Sequence, residues 1–162
     1  MFSEEGYMQE YVLGFAFTPK DLKGNQKVAL IEKLKPEWQR GKFNGIGGKL
    51  EKDDISKHCA MSREFEEETG VSIHPECWDY IGKMSGDGSW CVHVFTTVSK
   101  TVENVRTVEQ ERILLVDPVK ELDYILEKGI NNVPWLIFSC LDVDYHIGRC
   151  KLDTKYGGSL ND

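Results

Sequence analysis

The densest chemistry in the chain is the run Arg63-Glu64-Phe65-Glu66-Glu67-Glu68-Thr69-Gly70-Val71. On a helix, residues three and four apart share a face, so Glu64, Glu67 and Glu68 converge while Glu66 points away. Like charges at that spacing repel and disfavour the helix unless something neutralises them. A hard divalent cation does so: Mg²⁺ prefers carboxylate oxygens, keeps several waters and often shares its shell with phosphates. A solvated acidic face is the commoner fate of a glutamate run, but the upstream residues favour a metal. Gly47-Gly48 lets backbone approach the carboxylates closely enough for a main-chain carbonyl to join a metal shell. Arg63 can orient a neighbouring carboxylate through a bidentate pair.

The elements that must hold these groups are legible from periodicity. Residues 11–17 and 27–34 are rich in β-branched and aliphatic side chains and predict two strands around a polar loop. A glycine-rich segment, Gly41 to Lys49, follows, and helical spacing runs from about Ser56 to Gly70, a suitable residue just past a helix end. Met61 and Phe65, one turn apart, supply its core face. Residues 78–84 and 89–98 predict strands around Ser85-Gly86-Asp87-Gly88, and 112–116 a further short strand. Helices are expected at 119–128, ended by Gly129, and from Pro134 to about 141, with an edge strand over 145–152. Strands and helices without regular βαβ alternation indicate an α+β fold with a mixed sheet. The glycine segment is not a phosphate loop of the P-loop kind, because Leu50 follows Gly48-Lys49 and Phe43 stands where that motif needs glycine. The dinucleotide fingerprint fails too, since no first βα turn carries it.

The 162 residues suit one domain spanning 1–162, and the ordinary composition excludes disordered and fibrous classes. Asp and Glu number 27 against 20 Lys and Arg, a net charge of −7. No basic footprint for DNA or RNA exists, so an anionic ligand must be met by local devices. No apolar run approaches a membrane span, and the acidic start of the chain lacks a signal-peptide layout. Five scattered cysteines without a C-x-x-C pattern indicate reduced thiols in a cytoplasmic protein, with neither a disulfide scaffold nor a zinc site.

Gly48, Asp54 and the run from Arg63 to Val71 resemble the signature of the Nudix hydrolases: Gly, five residues, Glu, seven residues, then Arg-Glu-aliphatic-x-Glu-Glu-x-Gly-aliphatic. The second half fits throughout with Phe65 as the aliphatic position, a chance match on the order of one in a million per start. In the first half Asp54 replaces the longer acid, and eight residues separate it from Arg63. The resemblance implies an α/β/α sandwich around a mixed sheet and a Mg²⁺- or Mn²⁺-dependent hydrolase of nucleoside diphosphates linked to another group. It implies Glu64, Glu67 and Glu68 as metal ligands with the Gly47 carbonyl, and Arg63 as the residue that positions a carboxylate. The general base in this family comes from the box helix or from a distal loop. Here Glu111, in Glu109-Gln110-Glu111 before the strand at 113–116, is the candidate.

The segment Gly41 to Lys49 is similar to the strand entering the box in MutT-like oxidised-purine triphosphatases, where the residue matching Asn44 bonds the purine. An amide offers a base edge both donor and acceptor, though asparagine before Gly45 is also a turn residue. Asn131 and Asn132 stand where those relatives carry two acids that read the base. Asparagine removes the protonation-dependent pattern, so the layout supports a base pocket and argues against 8-oxoguanine selectivity. Trp135 could stack on a base or fill the core. Among the cations near the glycine segment, Lys33 and Lys49 are the candidates for phosphate. The leading expectation is a nucleoside triphosphate, oxidised or unmodified purine, cleaved to monophosphate and pyrophosphate. ADP-ribose, NADH or a diadenosine polyphosphate is the alternative, and a Nudix-fold module that binds nucleotide without cleaving it is a second. The partner is a small nucleotide, with no nucleic-acid polymer and no membrane, and the protein is a monomer or homodimer.

Overall fold

A computed structural model describes residues 7–146 and 148–157. The chain's first six and last five residues, and with them the acidic start of the chain, lie outside the described residues. Among the described residues eight strands form one mixed sheet: β1 (Gln9–Phe17), β2 (Val28–Glu32), β3 (Phe43–Asn44), β4 (Ile46–Lys49), β5 (Asp79–Gly86), β6 (Trp90–Val98), β7 (Ile113–Val116) and β8 (Leu152–Tyr156). The main order is β3-β2-β1-β6-β5-β8, with β4 on β1 and β7 on β2. β1 runs parallel to β6 along its whole length, and β5 parallel to β8, while the other pairs are antiparallel.

One side of β1 is divided between two partners. Its end pairs β2 at Phe17 and Val28, and its middle pairs β4 from Tyr11–Lys49 to Gly14–Ile46. The chain therefore leaves β2 after β3 and crosses to β1 within one residue, Gly45. A side chain there would meet the Gly14 carbonyl at 2.9 Å and the Phe15 ring at 2.9 Å. This crossing delivers Gly47 and Gly48 to the sheet beside the first long helix.

Alternation along β1 sends Val12 and Ala16 to one face and Leu13, Phe15 and Phe17 to the other. The first face is covered by α1 (Lys57–Thr69), whose Ala60, Met61 and Phe65 are fully buried. The second is covered by α2 (Leu122–Lys128) and α3 (Val133–Leu141), through Ile125, Val133, Leu136, Ile137 and Cys140. The result is the expected α/β/α sandwich. α1 starts where Ser56 Oγ accepts the Cys59 N–H at 3.1 Å and stops at Gly70, left-handed at φ 72°. α3 opens with Pro134 in its first turn, as its missing N–H predicts.

The expectation of a final strand over 145–152 is corrected. Residues 143–146 form a short helical turn, α4 (Val143–His146), and β8 begins only at Leu152. Tyr145 and Leu141 pack partly buried against the α3 cluster, and that apolar demand overrides the local strand pattern. β8 lies close on β5: Gly82 has φ 139°, and a side chain there would stand 2.0 Å from the Leu152 carbonyl.

A buried polar link ties β1, β5 and β6 together. His93, 3% exposed, lies 2.9 Å from Glu10 through Nε2 and 3.1 Å from the Tyr80 hydroxyl through Nδ1. Because a carboxylate only accepts, Nε2 carries the proton and Nδ1 accepts from Tyr80. Burial lowers the His93 pKa from 6.5, outweighing the Glu10 hydrogen bond. The unfolded chain therefore binds this proton more readily, so the stability His93 confers is present above pH 6.5 and lost as pH falls below it. Thermal melts should show a falling Tm from about pH 7 to about pH 5. His93→Gln should flatten that slope, and an unchanged slope in the variant would remove His93 as its source.

Candidate active site

Arg63 is the hub of the site. Its Nε donates to Asp54 Oδ1 at 2.9 Å and its Nη2 to Asp54 Oδ2 at 2.9 Å, a bidentate pair. Nη1 reaches Glu64 at 2.8 Å and Glu67 at 3.3 Å, and Nη2 also donates to the Lys49 carbonyl at 3.2 Å. Asp54 additionally accepts the Glu51 N–H at 2.8 Å. The shorter acid and the extra residue before Arg63 thus leave the brace between loop and helix intact. Asp54 is held below the usual carboxylate range, chiefly by its Arg63 hydrogen bonds.

Glu64 is buried and lies over Gly48, where a Cβ would stand 2.4 Å from the Glu64 carboxyl carbon. Only glycine leaves room for this carboxylate. Burial raises the Glu64 pKa against the pull of Arg63. Gly47, next to it, is needed for a different reason: a Cβ there would stand 1.9 Å from the Val12 carbonyl across the strand pair. Glu67 is half-exposed and Glu66 faces solvent.

Glu68 differs from the other acids of the helix. Its Oε2 is enclosed and has no hydrogen-bond partner. Its pKa is pushed up to about 7, first by burial and then by the charges of Glu109 and Glu111, with Lys33 opposing. A buried, unpartnered carboxylate oxygen facing further acids is a costly arrangement that a divalent cation would relieve. The donors are all hard oxygens, as Mg²⁺ or Mn²⁺ requires. As they stand, no three His, Cys, Asp or Glu side chains among the described residues are gathered tightly enough to cage an ion. A metal of the Mg²⁺ type needs only one or two carboxylates, with water and phosphate completing its shell.

Glu111 and Lys33 come together from positions far apart in the chain. Lys33 Nζ and Glu111 Oε1 are 2.9 Å apart, and Glu111 Oε2 accepts the Leu34 N–H at 2.6 Å. Both belong to the charge environment of Glu68. Lys49, at the end of β4, is exposed. Asn44 uses Oδ1 to accept the Gly45 N–H at 2.8 Å, so its turn role is present, and its amide group has no partner among the described residues. The Ile130 N–H donates to the Phe43 carbonyl at 3.0 Å, and Phe43 bridges Gly129 in parallel, which brings Asn44 alongside the approach to Asn131 and Asn132. Asn131 is exposed, and Asn132 turns its amide to the Met84 sulfur at 3.5 Å. Trp135 is 45% exposed, so it is not a core residue. Sequence reading did not single out Glu109, Met84 or Tyr156. Glu109 lay in the same acidic triplet as Glu111, while nothing local marks the other two.

The NUDIX domain family model matches residues 17–133, well over half of the chain. The chain belongs to the Nudix family, and the acidic helix and glycine strand described above are its box. A mutator MutT protein from Bacillus halodurans shares the fold, with a TM-score of 0.63 at 18% identity over 95% of this chain and 92% of that one. The NUDIX domain of Shewanella oneidensis NrtR, solved with ADP ribose, gives a TM-score of 0.63 at 14% identity over 86% and 92%. A MutT/nudix family protein from Enterococcus faecalis gives 0.62 at 18% identity over 72% of this chain, which spans only 46% of that longer one. At these identities the likeness is one of fold.

The enclosed, unpartnered carboxylate of Glu68 is a stability cost. Glu68→Gln should raise the stability of the metal-free protein by on the order of 1 kcal/mol, since it removes a partly buried charge. The same variant should lose most of the Tm gain that Mg²⁺ gives the parent. Thermal melts with and without Mg²⁺ check both, and an undiminished Mg²⁺ response in the variant would take Glu68 out of the metal site.

Proposed function

We propose that the protein is a metal-dependent nucleotide pyrophosphohydrolase that cleaves a nucleoside triphosphate to the monophosphate and pyrophosphate. The observation that carries this reading is the enclosed, unpartnered oxygen of Glu68, set among further carboxylates on the box helix. Glu64, Glu67 and Glu68, with the Gly47 carbonyl, are the groups that would hold Mg²⁺ or Mn²⁺. When bound, such an ion neutralises phosphate oxygens, acidifies a water and stabilises charge on the leaving oxygen.

The chain's own residues do the rest. Arg63, fixed by Asp54, orients the Glu64 and Glu67 carboxylates. Glu111, oriented by Lys33 and the Leu34 N–H, keeps lone pairs free to take a proton from the attacking water. Lys33 and Lys49 supply positive charge for the phosphates in an otherwise acidic protein. Asn44 offers its amide to the base, and the Phe43–Gly129 bridge and the Ile130–Phe43 hydrogen bond bring the segment of Asn131, Asn132 and Trp135 toward the same strand. A substrate of the ADP-ribose class is the second reading, favoured by the fold shared with the ADP-ribose complex of NrtR. All three box glutamates are retained, which favours catalysis over binding alone.

A hydrolysis panel with products identified by mass separates these readings. Triphosphates, ordinary and oxidised, should give monophosphate and pyrophosphate only with Mg²⁺ or Mn²⁺. Glu67→Gln should lower turnover by about a hundredfold or more with the fold unchanged by circular dichroism. AMP released from ADP-ribose or a dinucleotide, with triphosphates untouched, would shift the assignment to the second reading. Nucleotide binding without cleavage would make the protein a binding module.

Asn44→Ala tests the base contact separately. It should narrow the difference in kcat/KM between bases more than it slows the best substrate. Equal losses for all bases would leave Asn44 as a turn residue only.

A further inference from the structure

The sheet ends differently at its two edges. At one end β3 is two residues long, and the segment between α2 and α3 lies over it. Phe43 bridges Gly129 in parallel, and its carbonyl accepts the Ile130 N–H at 3.0 Å. At the other end β8 is five residues long, and β5 is its only strand neighbour among the described residues. Pairing on one side leaves alternate backbone N–H and C=O groups pointing outward, a template for a further strand. The usual blocks are absent from this segment. It contains no proline, and its register with β5 runs without a shift from Gly82–Leu152 to Gly86–Tyr156. Its guard is charge, the exposed side chains of Asp153 and Lys155.

We infer that β8 is the docking edge for a second copy of this chain, the two β8 strands pairing antiparallel about a two-fold axis at Thr154. The charges select this partner and this register. In a symmetric antiparallel pair, opposed residues share a face, so the axis falls on a residue. Centring on Asp153 would oppose two aspartates, and centring on Lys155 two lysines. Centring on Thr154 pairs all five residues. Asp153 then faces Lys155 of the partner subunit, Thr154 faces the partner's Thr154, and Leu152 faces the partner's Tyr156. Opposite charges, paired threonines and an aliphatic against an aromatic are all favourable across strands. Lys83 already stands opposite Asp153 on β5, so the dimer continues a row of alternating sign from Lys83 through Asp153 to the partner's Lys155. The Tyr156 ring, 39% exposed beside Trp90, gains cover from the same contact. A strand without this charge order would meet Asp153 or Lys155 unpaired. β6 and β5 separate this edge from β1 and the glycine strand, and the inference is independent of the catalytic reading.

Sedimentation equilibrium of the full chain over a range of concentrations reads the association constant. The parent should form dimers and nothing larger, because a two-fold pair of edges closes and the β3 edge is covered. Asp153→Lys and Lys155→Asp each oppose like charges twice per dimer, and each should weaken association about tenfold. The double variant reverses every pair and should dimerise like the parent. An equimolar mixture of the two single variants should form mixed dimers, since lysines on one chain then face aspartates on the other. Recovery in these two arms shows that the single variants lost the contact and not the fold. A chain that stays monomeric throughout would overturn the inference. So would a parent dimer that both single variants leave unchanged, which would move the contact to another face. A double variant and a mixture as weak as the single variants would overturn the register, and the inference with it.

Discussion

The site depends on one guanidinium. A helix that lines up Glu64, Glu67 and Glu68 works against itself, because like charges a turn apart repel. Arg63 offsets this by spreading its donors over Asp54, Glu64, Glu67 and the Lys49 carbonyl. That set joins three pieces of chain: the end of β4, the loop before α1, and α1 itself. A lysine could not do the same, since its point charge lacks the planar fork that grips Asp54 with two bonds. Gly48 belongs to the same arrangement, because the Glu64 carboxylate that Arg63 orients occupies the space a Cβ would fill. Glu68 Oε2 receives no such partner, which sets this carboxylate apart from Glu64 and Glu67.

The division of β1 between β2 and β4 explains how the two halves of the site meet. β4 carries the glycines to α1, while β2 carries Lys33 to the loop that ends in Glu111. β7 pairs β2 from Val28–Val116 to Ile113–Ile31, so the residues just before β7 fall beside those just after β2. The Lys33–Glu111 contact follows from this register. It carries charge of both signs into the surroundings of Glu68.

Much of this was legible in the sequence, for identifiable reasons. α1 carries every signal at once: a serine N-cap, a core stripe at Met61 and Phe65, and a glycine at its end. Such agreement between levels makes a segment readable. Asp54 was harder, because spacing alone cannot say whether an added residue is absorbed in a loop, as it is here. The Lys33–Glu111 pair and the convergence of Asn132 and Tyr156 on Met84 were not legible. Each joins residues from separate elements, and only the strand order decides that they touch. Residues 145–152 misled for the opposite reason, since their local pattern suits a strand while α3 offers an apolar surface to pack on.

The sheet also fixes how far Lys49 stands from Met84. Lys49, Tyr11, Val92 and Met84 are consecutive cross-strand partners on β4, β1, β6 and β5. Three strand spacings separate the ends of that row, about 14 Å. Backbone hydrogen bonds hold this distance, so it does not depend on side-chain rotamers.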